Sequence, residues 1–76
     1  MSLEEFQKDL SNRIGRRVTD VFTRDGEPVK DLIELYLPSP AGFAGQLVLS
    51  DSSRHSWELW QEAGEIWNFQ STRISR

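Results

Sequence analysis

The sequence predicts an α+β domain: an N-terminal helix, with a second helix after it, packed on one face of a small antiparallel β-meander. Three observations lead there. Leu3, Phe6, Leu10 and Ile14 recur at helical spacing. Later the rhythm becomes alternation, with Phe43, Leu47, Leu49, Trp57, Leu59, Trp67 and Phe69 on one strand parity. Stripes of both kinds are one-sided, so each needs the other for burial.

Composition sets the limits. The 76 residues make one compact domain, 1–76, near the lower size at which a chain folds unaided. At 37% hydrophobic and 28% charged, the chain is too apolar for obvious disorder. Without cysteine, neither disulfides nor a cysteine-based zinc site can staple it, so stability must come from packing. The absence of cysteine and of a signal-like apolar stretch fits a cytoplasmic protein. No run is long enough to cross a bilayer. Twelve acidic and nine basic residues give a net charge of −3, which argues against general nucleic-acid binding yet falls short of a DNA mimic.

The elements follow in chain order. Ser2-Leu3-Glu4-Glu5 reads as a capping box. Gly15 is a left-handed stop, and Arg13, Arg16 and Arg17 complement the negative helix end, which places a helix at 3–14. Val18 to Thr23 has strand character, with Arg24-Asp25-Gly26-Glu27 as a turn. Residues 28–37 admit two readings. As a helix, Val29, Leu32, Ile33, Tyr36 and Leu37 share a face, Pro28 suits the first turn and Pro38 ends it. As a strand, Ile33, Leu35 and Leu37 line one side and Asp25-Gly26 closes a hairpin, setting Asp20 against Asp31. The helix is preferred. Pro38-Ser39-Pro40-Ala41-Gly42 is a connector.

The run SWELWQEAGEIWNFQ, residues 56–70, holds all three tryptophans. A three-residue loop, Glu62-Ala63-Gly64 with Gly64 in the left-handed bulge position, sets Leu59 against Trp67, Trp57 against Phe69 and Gln61 against Glu65. The two-residue loop Ala63-Gly64 scatters the aromatics over both faces and pairs Glu62 with Glu65. The three-residue loop is therefore expected. With Asp51 to His55 as the preceding loop, Leu49 faces Trp57 and Leu47 faces Leu59. Trp57 and Trp67 then belong to the core, while Trp60 points to the opposite face, across from Ile66 and Gln46.

That outer face is the first candidate site. Trp60 and Ile66, with Gln46, Val48, Glu58 and Asn68 around them, suit a partner contact with an aromatic anchor and a polar rim. The plainer reading has Trp60 lying flat over Ile66 or beneath a terminal segment. Arg13, Arg16, Arg17 and Arg24 form a second candidate, a basic patch for nucleic acid, set against ordinary helix-end electrostatics. Asp51-Ser52-Ser53-Arg54-His55-Ser56 contains the letters of a catalytic triad, but crowding in one short loop favours turn chemistry. His55 is the single histidine, which suggests no metal site, and Gly42 and Gly45 lack a phosphate-loop context.

The element order, and the rhythm of LSDSSRHSWELWQEAGE, resemble the phage uracil-DNA glycosylase inhibitors. The segment TDVFTRDGEP lacks that family's acidic edge-strand signature, and the chain is far less negative. The resemblance therefore implies a small inhibitor and carries over no target and no site residue. The expected function is a non-enzymatic protein-binding module without cofactors, monomeric or homodimeric. It would act as a bacterial or phage inhibitor or accessory protein that occludes a partner surface. Nucleic-acid binding through Arg13 to Arg24 is the alternative.

Overall fold

The computed structural model describes residues 1–38, 41–62 and 66–75, with the backbone alone at Ser75. Helix α1 (Leu3–Ile14) begins where the sequence places it. Ser2 Oγ accepts from the Glu5 N–H at 3.1 Å, and the Glu5 carboxylate accepts from the Ser2 N–H at 2.8 Å. At the other end Gly15, with φ 76°, donates its N–H to the Ser11 carbonyl and stops the helix in the left-handed conformation that glycine adopts without strain.

Among the described residues five strands follow: β1 (Val18–Phe22), β2 (Tyr36–Pro38), β3 (Ala41–Leu49), β4 (Arg54–Gln61) and β5 (Trp67–Ser75). All pairings are antiparallel, in the order β1–β3–β4–β5, with β2 pairing β3 beside β1. One face carries the core, where Phe6 and Leu10 of α1 meet Leu47, Leu49, Trp57 and Leu59 of the sheet. The α+β class and the antiparallel sheet are as expected. No helix among the described residues is long and apolar enough to cross a membrane.

The expected second helix is absent. After β1 the chain turns tightly through Gly26, at φ 88°, and Pro28 bridges back to Phe22. Asp31 then caps a single 3₁₀ turn, Leu32–Leu35, its side chain accepting from the Ile33 N–H while the Glu34 carboxylate accepts from the Lys30 N–H at 2.7 Å. Helical spacing alone misleads here because two later demands override it. Four residues suffice to deliver the fully buried Leu35 to the core, and Tyr36 to Pro38 find backbone partners on β3. Pro38, Ala41 and Gly42 are accordingly strand residues rather than connector, while Ser39 and Pro40 lie outside the described residues.

Both hairpin registers also differ from expectation, each by an even number of residues. Phe43 pairs Leu59, Gly45 pairs Trp57 and Leu47 pairs His55. The cause is the turn after β3. Asp51 accepts from the Ser53 N–H at 2.9 Å, an Asx-type turn that lets β4 begin at Arg54. In the next hairpin Leu59 pairs Phe69, Trp57 pairs Ser71 and Gln61 pairs Trp67. The expected Gly64 bulge falls among residues 63–65, outside those described.

Shape explains the outcome. Trp57 is 1% exposed and lies between Gly45 and Ser71, two small neighbours, with Phe6 tilted onto it at 5.7 Å. The expected register would have wedged the indole between Leu49 and Phe69. Alternating large and small side chains across strands is how a dense interior avoids strain. A Cβ on Gly45 would sit 2.5 Å from the Phe22 carbonyl oxygen and 2.9 Å from Leu35 Cδ2. Because the slips are even, the core parity survives them.

Candidate functional site

A helix of 12 residues is roughly 18 Å long and 10–12 Å across, whereas four strands at about 4.8 Å spacing span roughly 19 Å. The missing helix would have covered the remainder. In its place a groove of about 400 Å³ opens between α1, the 3₁₀ turn and the sheet. Phe43 and Leu59 line it on the sheet, with Phe6, Leu32, Met1 and Trp67 around them. Phe6 and Phe43 pack ring to ring at 5.3 Å, which places aromatic surface in the groove. Its polar border is one ion pair, Arg13 Nε to Asp9 Oδ2 at 2.9 Å along the helix.

Trp67 is the correction that matters most. Expected in the core, it stands opposite Gln61 at the end of the sheet and is 40% exposed. Trp60, expected as the exposed anchor, is half-buried on the outer face between Gly42 and Asn68. Gly42 is required there, since a Cβ would come within 2.7 Å of Trp60 Cα.

The outer face does not gather the six residues first grouped on it. Trp60, Asn68 and the exposed Ile66 stand at one end, where Asn68 Nδ2 donates to Glu62 Oε1 at 2.8 Å. Gln46 pairs Ser56 and Val48 pairs Arg54, four and six residues along the strand from Gly42, or roughly 13 and 20 Å. Gln46 belongs to another network: its amide donates to the Arg24 carbonyl and accepts from Arg54, whose guanidinium lies 4.4 Å above the Phe22 ring. Glu58 is exposed between Ala44 and Gln70. The hollow here, about 220 Å³, has a mixed lining, with Arg24, Gln46, Glu58 and Gln70 beside Ala44 and Trp57.

The arginines are likewise dispersed. Arg13 pairs with Asp9 and Arg16 with Asp51, at 2.6 Å. Arg24 lies at the outer hollow, while Arg17 ties the start of β1 to the end of β3 through its carbonyl, which accepts from the Ser50 N–H. Half the expected basic patch is thus engaged by carboxylates.

The triad letters form a latch. Ser53 is fully buried, and its hydroxyl lies 2.5 Å from Asp51 Oδ1 and 3.0 Å from His55 Nε2. A nucleophilic triad needs the acid on the histidine and an accessible serine. Here the acid binds the serine itself. With the serine proton directed to the carboxylate, Nε2–H of His55 donates to Oγ. The Ser53 hydroxyl and N–H, helped by Arg16, hold the Asp51 carboxyl far below its ordinary value of 3.8.

Sequence reading missed the groove, and one signal bore on it. If residues 28–37 are not a helix, twelve helical residues cannot cover the apolar parity of the strands. No protein-family model, no curated protein and no solved structure matches the chain.

Proposed function

We propose that this chain is a small protein-binding module, non-enzymatic and cytoplasmic, that acts by covering a partner's working surface. The apolar groove carries the reading. It combines concave shape, six large apolar side chains and a half-open tryptophan, the features that concentrate binding energy. Its volume falls within the range of roughly 300–1,000 Å³ typical of sites that enclose a ligand. The occupant with the right chemistry is a short apolar segment of another protein. One or two aliphatic or aromatic side chains would enter between Leu32 and Trp67, with a polar neighbour meeting the Asp9–Arg13 pair.

The outer face is the second reading, favoured by the 67% exposure of Ile66 beside Trp60. A photo-crosslinking residue placed at 67, at 60 or at the control position 12 separates the two in an extract of the source cells. The groove reading expects one discrete adduct from position 67, abolished by Leu32→Lys, a change at a partly buried groove residue outside the sheet. Adducts from position 60 alone would transfer the function to the outer face. Equal labelling from position 12 would remove both.

A further inference from the structure

The two edges of the sheet are finished differently. Val18 on β1 turns its main-chain groups away from β3, and α1 satisfies them. Ser11 Oγ accepts from the Val18 N–H at 3.0 Å, and Gln7 Nε2 donates to the Val18 carbonyl at 3.0 Å. Along β5 nothing equivalent is found among the described residues. The Glu62 N–H donates to the Ile66 carbonyl at 3.0 Å, which fixes the phase of the β4–β5 ladder. By alternation Asn68, Gln70 and Thr72 also turn to β4, and Trp67, Phe69, Ser71 and Arg73 present their N–H and C=O groups outward, up to the register shift at which Arg54 pairs Ser75 instead of Ile74. The regular part of this edge, Trp67 to Arg73, is seven residues long, without proline or lysine, and carries one charge, at Arg73. Natural edges of that length are normally blunted.

We propose that a second copy of the chain completes this edge, β5 pairing antiparallel with β5 about a two-fold axis at Gln70. The strand is complementary to itself in that register. At the ends of the paired segment Ile66, just before β5, comes beside Ile74 of the second copy, at the register shift, covering two side chains that are otherwise 67% and 48% exposed. Trp67 meets Arg73, placing the strand's one cation against an exposed indole. Asn68 meets Thr72, and Phe69 meets Ser71. No like charges face each other, and roughly eight main-chain hydrogen bonds form between the outward-facing residues. Moving the axis to Ser71 sets Ile74 against Asn68 and leaves Ile66 without an apolar neighbour. Moving it to Phe69 leaves Arg73 and Ile74 beyond the paired segment. Only the Gln70 axis pairs both isoleucines. The two sheets then join into one, with both helices on the same side. Trp67 borders both the groove and this seam, but the two readings are tested apart. Association is read on the purified protein alone, and an adduct with a second copy differs in mass from one with another protein.

Because the chain has no cysteine, single replacements report the register directly. Across a two-fold axis at Gln70 the two Cα atoms are a non-hydrogen-bonded pair, about 4.5 Å apart and within disulfide reach. Under mild oxidation Gln70→Cys is expected to cross-link into a dimer at least tenfold faster than Asn68→Cys or Thr72→Cys, whose counterparts lie four residues apart. Sedimentation should show the wild type in concentration-dependent monomer–dimer exchange. Ser71→Pro should abolish this exchange with an unchanged circular dichroism spectrum, since it removes only an outward N–H. A wild type monomeric at millimolar concentration, a dimer that survives Ser71→Pro, or equal cross-linking at all three positions would each overturn the proposal. Should Ser71→Pro fail to fold, the cross-linking ratio decides alone.

Discussion

Replacing Trp57 and Trp67 by alanine, one at a time, tests the division of labour between the tryptophans. Trp57 is 1% exposed, so its truncation removes the transfer energy and leaves a sealed cavity, together costing about 3–5 kcal/mol. Trp67 keeps two-fifths of its surface in water and borders an open groove, so water fills the space and no sealed cavity forms. Full burial of a large apolar side chain is worth roughly 1.5–3 kcal/mol, which leaves about 1–2 kcal/mol for the buried part of Trp67. A domain of this length holds roughly 4–11 kcal/mol in all. Trp57→Ala should therefore bring the protein close to unfolding at room temperature. Trp67→Ala should stay folded with Tm lowered by about 5–15 °C. Urea titrations followed by far-ultraviolet circular dichroism measure both without relying on tryptophan emission. Equal losses, or a larger loss at Trp67, would refute the register and the open groove built on it.

Two further outcomes follow from close packing and from charge. Gly45→Ala should destabilise by about 1–3 kcal/mol, although alanine ordinarily suits a strand no worse, because its methyl meets the Phe22 carbonyl and Leu35. An unchanged urea midpoint would show that β1 and the 3₁₀ turn do not press on this strand. For Asp51 the folded carboxyl titrates below its ordinary value, so its stabilisation is complete above about pH 4 and is lost as pH falls through the folded value. Asp51→Asn should lower the midpoint at pH 7 and flatten its decline between pH 4 and pH 2. A mutant whose acid limb remains as steep as the wild type's would assign the acid sensitivity elsewhere.

The local features of this protein were legible in the chain itself. The Ser2–Glu5 box, the Leu3 to Ile14 stripe and Gly15 place one helix, because each depends on neighbours no more than four residues away. Strand parity was legible for the same reason: side chains alternate with period two, and even slips of register leave that period intact. Which even slip occurs was decided in three dimensions. Asp51 closes its turn early, and the indole of Trp57 needs the space beside Gly45 and Ser71, residues distant in sequence. The fate of residues 28–37 was settled the same way, since burying Leu35 and pairing Tyr36 with Phe43 outweigh a helical spacing that local reading had no reason to reject. Periodicity can name the side chains that leave water. How far the covering layer extends over them, and hence that Trp67 borders an open groove, depends on contacts that exist only once the chain has folded.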